Sequence, residues 1–357
     1  MSGLYIHVPF CAQKCRYCDF LSFDSIPVSI QEAYVTALCR ELDLLDFSRF
    51  KTIYLGGGTP NALPEKELER LLGHIKPESD AEFSIELNAT RRINKRLAIV
   101  LENAGVTRVS FGIQTYSPRL FKAIGRKQSA SVNLKPFFER FDVNVDVMYA
   151  LPGEVVADWL DFIKRLARLP LAHISCYALT LEEGTPLALE KPVLPSDAED
   201  RKMYHKAREI LMANGFEHYE VSNFAKPNKR CAHNVDCWRR KPYMGAGLGA
   251  WSFDGLMRWR NETNLEKYIK EPFPSYSQII EISKKDAMSE FMFLGLRLTD
   301  GVSVNEFEKN FDVELNKIYG DWLARMLKEN FLEQKGDYLR ATLKGLDFLN
   351  YVCEGFI

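Results

Sequence analysis

The sequence predicts an α/β protein with a parallel sheet, followed by a small C-terminal α+β domain of winged-helix appearance. Short runs rich in β-branched and aromatic residues alternate six times with helical segments before residue 215. Such repetition implies right-handed crossovers in either an open doubly wound sheet or a partial barrel. The alternation then stops, so the predicted units are 1–215, a connecting region at 216–275 and a C-terminal domain at 276–357.

The predicted strands of the first unit lie at 3–8, 52–55, 82–87, 107–112, 143–148 and 172–177. The predicted helices lie at 30–46, 64–75, 93–104, 117–141 with a break near Ser129, 156–168 and 197–214. In the first helix the apolar residues Tyr34, Leu38, Leu42 and Leu45 form one stripe, as an amphipathic helix requires.

The rest of the chain is less regular. Residues 225–242 read as a polar loop, 245–249 are glycine-rich, and Pro272 and Pro274 indicate a linker. The C-terminal domain is predicted to contain helices at 286–298, 303–311 and 313–329, a hairpin at 331–341 turning at Gly336 and Asp337, and a last helix at 343–353.

Composition excludes several classes of protein. The 357 residues carry 47 Lys and Arg against 48 Asp and Glu, which argues against a protein wholly devoted to nucleic acid. No apolar run approaches 18 residues, so we expect no membrane span. The N-terminus lacks the basic and apolar regions of a secretory signal, so we expect a cytoplasmic protein.

Three of the eight cysteines lie close together, at Cys11, Cys15 and Cys18. In a reducing compartment such a cluster favours a metal site over disulfides. Three thiolates can hold three irons of a [4Fe–4S] cluster and leave the fourth iron open. A zinc site is one alternative and would need a fourth ligand such as His7 or Cys39. The other alternative is an accidental grouping of cysteines that binds no metal.

Polar residues follow the predicted strands at their carboxyl ends. Glu86, Gln114 and Asp146 lie at or near three such ends, and Gly56-Gly-Gly-Thr-Pro60 follows another. Parallel α/β folds build their sites at this edge, where the cysteine loop also lies. The sequence therefore predicts a site there.

The segment around the cysteines, Tyr5-Ile-His-Val-Pro-Phe10-Cys11 to Cys18-Asp-Phe20, resembles the opening motif of the radical S-adenosylmethionine (radical SAM) superfamily. It is most similar to the branch that contains the oxygen-independent coproporphyrinogen III oxidases and the HemW haem chaperones. Further blocks resemble this branch at 56–60, 109–114, 125–126, 146–153, 218–224, 290–298 and 344–345.

The resemblance implies a partial (β/α)6 barrel with a [4Fe–4S] cluster on Cys11, Cys15 and Cys18 at its mouth. SAM would bind the open iron, and an electron donor would permit its cleavage to methionine and a 5′-deoxyadenosyl radical. The residues that the resemblance assigns to SAM contact are Tyr5, Tyr17, Gly57, Gly58, Thr59, Glu86, Gln114, Arg126 and Asp146.

Two features favour the haem-chaperone side of this branch. Phe20 stands where similar coproporphyrinogen oxidases carry a further cysteine. His233-Asn234 and Trp238 resemble a chaperone motif linked to haem, with Cys237 in place of tyrosine. The resemblance thus implies haem binding and delivery to an apoprotein; the alternative is oxidative decarboxylation of a porphyrinogen.

The loop around this motif is basic. Residues 226–242 hold six cations and one anion, a local charge of 6 − 1 = +5 that would attract haem propionates. His233, Cys231 or Cys237 could ligate the haem iron. A solvated basic loop is the plainer reading, and nucleic-acid binding is disfavoured because one loop is not a basic domain.

Overall fold

Six parallel strands form the centre of the protein. The computed structural model describes residues 2–89, 93–126 and 133–357. The strands lie side by side in chain order, and each neighbouring pair is parallel, as the family resemblance implies for a partial (β/α)6 barrel. They are β1 (Gly3–Val8), β2 (Thr52–Gly57), β3 (Glu82–Asn88), β4 (Arg108–Gln114), β5 (Asp142–Tyr149) and β6 (His173–Ala178).

Each central strand has an apolar face and a polar face, because successive side chains of a strand point to opposite sides. In β3, Phe83, Ile85 and Leu87 join the main hydrophobic core, whereas Ser84 and Glu86 line an internal cavity. The other strands follow the same pattern. The sheet therefore packs against its helices on the outside and encloses a polar interior.

The helices of this unit mostly match the predicted segments, apart from one that is divided. The segment predicted as a helix over 117–141 contains two short helices, and the break near Ser129 lies outside the described residues. The helices are α1 (Val28–Leu42), α2 (Glu65–Gly73), α3 (Lys95–Asn103), α4 (Pro118–Ala123), α5 (Lys135–Phe138), α6 (Val156–Leu166), α7 (Pro186–Leu189) and α8 (Asp197–Ala213).

The segment predicted as a connecting region extends both edges of the sheet, together with a strand at Tyr276–Glu281 that lies in the predicted C-terminal domain. Strand β8 pairs with β6, and β9 pairs with β1, which gives one open sheet of twelve strands in the described residues. The predicted polar loop at 225–242 also contains a short helix, α9. These elements are β7 (Glu217–Glu220), β8 (Asn223–Ala225), α9 (Ala232–Trp238), β9 (Tyr243–Ala246), β10 (Trp251–Phe253), β11 (Met257–Asn261), α10 (Leu265–Lys270) and β12 (Tyr276–Glu281).

The C-terminal domain has its own hydrophobic core, built from five helices and a three-stranded antiparallel sheet. The last predicted helix is divided in two, because Phe348 leaves the helical region at φ −119° and ψ 32°. The elements are α11 (Lys284–Gly295), β13 (Val302–Ser303), α12 (Val304–Phe311), α13 (Leu315–Lys328), β14 (Leu332–Lys335), β15 (Tyr338–Ala341), α14 (Leu343–Asp347) and α15 (Leu349–Glu354).

Within the described part of the chain, none of the helices combines the length and the apolar character needed to cross a membrane.

Candidate functional site

The three clustered cysteines lie in the loop after β1 and line one cavity of about 370 Å³ inside the barrel. Backbone hydrogen bonds tie the two ends of this loop together, from Cys11 N to Phe23 O (2.9 Å) and from Phe23 N to Pro9 O (2.7 Å). Burial raises the pKa of the Cys11 and Cys18 thiols. A positively charged metal centre is the kind of group that would hold such thiols deprotonated.

The three thiols do not form a closed site for a single metal ion. Thiolates on one zinc ion, each about 2.3 Å from the metal, lie within about 4 Å of one another. Across the described ranges, no three His, Cys, Asp or Glu side chains converge closely enough to hold one metal ion. Cys11, Cys15 and Cys18 all line this cavity, and three thiolates are the number of protein ligands that a [4Fe–4S] cluster with one open iron takes.

The glycine-rich loop after β2 packs directly against the cysteine loop. A Cβ atom on Gly58 would lie 2.6 Å from the carbonyl oxygen of Phe10, and Gly57 has a φ of +115° beside His7. The sequence predicts that these glycines let the backbone approach a ligand. Both glycines line the cavity. However, atoms of His7 and Phe10 already occupy the space that a side chain at either position would need. Thr59 is thereby placed with its hydroxyl 3.9 Å from the Cys11 sulfur.

Two half-buried carboxylates face the cavity from β3 and β5. Glu86 accepts hydrogen bonds from the Tyr54 hydroxyl (2.7 Å) and from Gly57 N (3.2 Å), and burial raises its pKa to about 7. Asp146 accepts from the Ser110 hydroxyl (2.6 Å), and burial raises its pKa as well. Both groups are suited to hold a cationic or hydroxyl-bearing ligand.

Arg126 joins the cysteine loop to the sheet. Its Nη1 donates to the Cys15 sulfur (3.7 Å) and the Tyr17 hydroxyl (3.5 Å), and its Nη2 donates to Asn88 (3.1 Å) and to Gly112 O. Gln114, with a φ of +66°, also lines the cavity at an irregular end of β4.

Tyr5 differs from the other predicted SAM contacts, because it is not among the described residues that line the cavity. Its hydroxyl donates to His7 Nδ1 (2.9 Å), and His7 Nε2 donates to Leu21 O (2.8 Å) at the end of the cysteine loop. The structure therefore places Tyr5 where it supports this loop.

The sequence analysis missed several polar residues of the cavity. The period-two pattern within each strand was the available signal, because polar residues occupy alternate positions along the six strands. The residues missed include Ser84, Asn88, Arg108, Ser110, Asn144, His173 and Ser175.

His233 lies at the opposite end of the barrel from the cysteines. Its side chain is enclosed, the residue being 6% exposed. Nδ1 lies 3.0 Å from the Thr52 hydroxyl, and the ring stacks on Tyr54 with centroids 5.2 Å apart. Burial lowers its pKa to about 4. His233 therefore does not face open solvent as a haem ligand on a loop would.

Helix α9, which carries His233, closes the floor of the cavity. Glu82 of β3 accepts hydrogen bonds from Ala232 N (2.9 Å) and His233 N (3.1 Å), which satisfies the start of the helix. Cys231 and Asn234 line the cavity from this side. The Glu82 carboxylate is thus a physical reason why this segment, predicted to be a loop, forms a helix.

Three cations of the basic loop pair with acidic groups from elsewhere in the chain, and a fourth pairs with the loop's own Asp236. The local charge of +5 therefore overstates the field that an anionic ligand would meet. Arg239 is exposed, and we find no ion pair for it among the described residues. The other cations pair as Lys229 with Asp142 (2.6 Å), Arg230 with Asp300 (2.5 Å), Arg240 with Glu290 (2.8 Å) and Lys241 with Asp236 (2.7 Å), while Lys226 donates to Asn214 O (2.5 Å).

Comparison with family models finds two matches. Residues 5–166 match the radical SAM superfamily, and residues 282–348 match the HemN C-terminal domain. The two matches cover the cysteine loop with β1–β5 and most of the C-terminal domain.

Curated proteins named "Heme chaperone HemW" resemble the whole chain. The protein from Lactococcus lactis is 34% identical over 100% of this chain and 97% of its own length. Those from Bacillus subtilis and Escherichia coli are 32% and 29% identical, over 100% and 99% of this chain and 99% and 98% of their own lengths.

Among solved structures, coproporphyrinogen III oxidase (HemN) from Escherichia coli shares the fold, with a TM-score of 0.84. The match covers 99% of this chain and 89% of that one at 20% sequence identity. At this level of identity the likeness concerns the fold alone.

Proposed function

The chain belongs to the HemW family of radical SAM proteins, and on that premise we propose that it is a cytoplasmic haem chaperone. It would hold a [4Fe–4S] cluster, bind SAM, and pass haem to an apoprotein. One observation carries the cofactor part of this proposal. Three thiols line a single cavity together with two half-buried carboxylates and an arginine, at the carboxyl ends of parallel strands.

The side chains beside the cysteine loop have chemistries that suit particular roles. Cys11, Cys15 and Cys18 would supply three thiolate ligands to a [4Fe–4S] cluster, and its fourth iron would stay open for SAM. When reduced by an electron donor, the cluster supplies one-electron chemistry to the bound SAM. Thr59 and Arg126 lie beside the thiols, where their donors suit a carboxylate.

The remaining predicted contacts, apart from Tyr5, line the cavity where they would surround the rest of the SAM molecule. Glu86 and Asp146 offer acceptors to its ribose hydroxyls and its positive charge, and Tyr17 offers an aromatic face. The closely packed loop of Gly57 and Gly58 leaves the backbone exposed to the ligand. Gln114 supplies an amide from the end of β4.

Haem binding through His233 requires α9 to move. Thr52, Tyr54 and Glu82 enclose this helix at its start, so an iron atom cannot reach the imidazole while α9 is in place. We propose that His233 ligates haem after α9 opens.

An anaerobic assay with two substrates tests the proposal. Cluster-loaded protein is incubated with coproporphyrinogen III, SAM and a reductant, and separately with haem and a haem-free acceptor protein. We expect stoichiometric haem binding, a Soret band that moves to the acceptor, and no carbon dioxide. Substantial release of carbon dioxide and methionine would contradict the chaperone function and identify a porphyrinogen decarboxylase.

A further inference from the structure

A continuous set of hydrogen bonds crosses the interior of the barrel and ends on Asp146. The Tyr219 hydroxyl lies 2.7 Å from His173 Nε2, and His173 Nδ1 lies 2.7 Å from Asn144 Oδ1. Asn144 Nδ2 donates to Asp146 Oδ1 (2.8 Å) and to the Ser110 hydroxyl oxygen (2.7 Å). Ser110 in turn donates to Asp146 Oδ2 (2.6 Å).

The sheet register brings these residues together. Ser110 of β4 lies opposite Asn144 of β5, and Asn144 lies opposite His173 of β6. Gly112 is the ladder partner of Asp146, so β4 places no side chain against that position. The Asp146 carboxylate can therefore lean towards Ser110 and Asn144.

The chemistry of the groups fixes the direction of every bond. An ionised Asp146 only accepts, so Asn144 must present its NH2 group to it and its Oδ1 to His173. His173 Nδ1 then carries the hydrogen, which leaves Nε2 to accept from the Tyr219 hydroxyl. Burial lowers the pKa of His173 well below its usual value, as this neutral tautomer requires. Ser175 donates to the same Asn144 oxygen at 3.3 Å.

All members of the set except Asp146 itself are neutral, and the sequence analysis assigned a role to none of them. Ser110, Asn144, His173 and Tyr219 are at most 7% exposed. Such a buried polar set costs stability unless every group is satisfied, and it then holds its members in one arrangement. Each oxygen of Asp146 receives one donor from it, and the carboxylate still lines the cavity.

We propose that Ser110, Asn144 and His173 are positioning residues that hold the Asp146 carboxylate in one orientation for SAM. The inference rests on the proposed function, since it takes Asp146 as a SAM contact. It adds that SAM affinity depends on residues that act through Asp146. Ser110 and Asn144 bond to Asp146 directly, and His173 bonds to Asn144.

The test measures SAM affinity by equilibrium dialysis with anaerobic, cluster-loaded, full-length protein. Ser110→Ala removes one donor, and Asn144→Asp replaces the amide donor by a second acid. We expect Ser110→Ala to weaken SAM binding about tenfold and Asn144→Asp to weaken it further, as for a lost hydrogen bond to a charged group. Ser110→Thr retains the hydroxyl and should restore the affinity.

Ser289→Ala is the matched control. Ser289 is a buried serine of α11 that is not among the described residues lining the cavity, and its hydroxyl donates to Lys285 O (3.1 Å) within the same helix. Its removal should leave SAM affinity unchanged. Iron and sulfide content and far-ultraviolet circular dichroism show that each variant is folded and loaded.

Three outcomes distinguish the positioning role of these residues from the proposed function. Weak binding by Ser110→Ala with rescue by Ser110→Thr supports the positioning role. If loaded Ser110→Ala and Asn144→Asp bind SAM as tightly as the parent while Asp146→Asn does not, the positioning role is wrong and the proposed function stands. If the loaded parent binds no SAM, the SAM-binding part of the proposed function fails, and the positioning role with it.

Discussion

At the scale of single residues, the site depends on thiols and glycines whose types cannot be exchanged. The cysteine loop is held by backbone bonds at its ends and by His7 on Leu21, so its shape does not need the thiols themselves. The glycine loop, by contrast, is shaped by the absence of side chains, because Gly58 lies against the backbone of Phe10. Substitution of a cysteine should therefore remove the cluster and keep the fold, whereas substitution of a glycine should distort the loop.

The Cys15→Ser variant should lose the cluster and keep the fold. A serine hydroxyl is a poor ligand for iron in place of a thiolate, and Cys15 lies on a half-buried rim loop rather than in the core. We expect iron, sulfide and the brown absorbance of anaerobic protein to fall to background. Cys39→Ser, in the buried face of α1, is the control and should retain all three. Wild-type iron and sulfide in Cys15→Ser would show that the ligand assignment is wrong.

The Gly58→Ala variant should distort the site, whereas Gly320→Ala should not. The new Cβ at position 58 would meet Phe10 backbone atoms at 2.6–2.9 Å, so one loop must shift, at a cost of about 1–3 kcal/mol. Gly320 lies in α13 with nothing within 4 Å of an added Cβ, so alanine there should stabilise by about 0.5–1 kcal/mol. Anaerobic denaturant unfolding measures both changes. An unchanged stability of Gly58→Ala would contradict the close packing.

At the scale of elements, α9 is the one whose position decides how haem could bind. It is a seven-residue helix held at its start by Glu82 and Thr52, and at its end by Trp238 under the Arg297 guanidinium, 4.4 Å from the ring centroid. A helix this short has little stability of its own, so these contacts determine how often it opens.

Haem uptake should therefore be limited by the opening of α9. In stopped-flow experiments the observed rate should reach a plateau as haem concentration rises. Thr52→Val removes the hydroxyl beside His233 at nearly constant volume and should raise the plateau about fivefold, as for a hydrogen bond of about 1 kcal/mol. Thr36→Val, on the exposed side of α1, is the control. A rate that rises linearly with haem concentration would show that His233 is accessible without movement, or is not the ligand.

At the scale of the whole molecule, the C-terminal domain is joined to the barrel around α9. Glu290 of α11 accepts from Arg240 (2.8 Å) and Arg258 (3.0 Å), and both guanidiniums lie over the Phe253 ring at 4.6 and 5.2 Å. Glu290 and Arg240 are about nine-tenths buried, so neither charge has water as an alternative partner.

Replacing Glu290 by Gln should weaken the connection between the two parts. It leaves two arginines without their shared carboxylate, and we expect a loss of about 2 kcal/mol in the free energy of unfolding. Glu333→Gln removes an exposed partner of Arg340 on the hairpin and should cost less than about 0.5 kcal/mol. Equal effects of the two changes would contradict the structural role of Glu290.

The sequence predicted the six parallel strands because their alternation with helices is a local signal, visible from Leu4 to Cys176. It indicated that the cysteine loop and Glu86 lie at one edge of the sheet, because the carboxyl ends of parallel strands meet there, and both do line the same cavity. It could not place His233 beneath Thr52 or pair Arg240 with Glu290, because these contacts join residues 181 and 50 positions apart. Nor could it show that the connecting region completes the sheet, since pairing of β9 with β1 is a long-range choice.

The account depends most on a cluster that keeps one iron free for SAM. The most direct measurement is the electron paramagnetic resonance spectrum of anaerobic, reduced protein before and after addition of SAM. We predict the signal of one [4Fe–4S] cluster per chain, with a spectrum that changes when SAM binds the open iron. Zinc in place of iron, or a cluster signal unaltered by saturating SAM, would contradict the account.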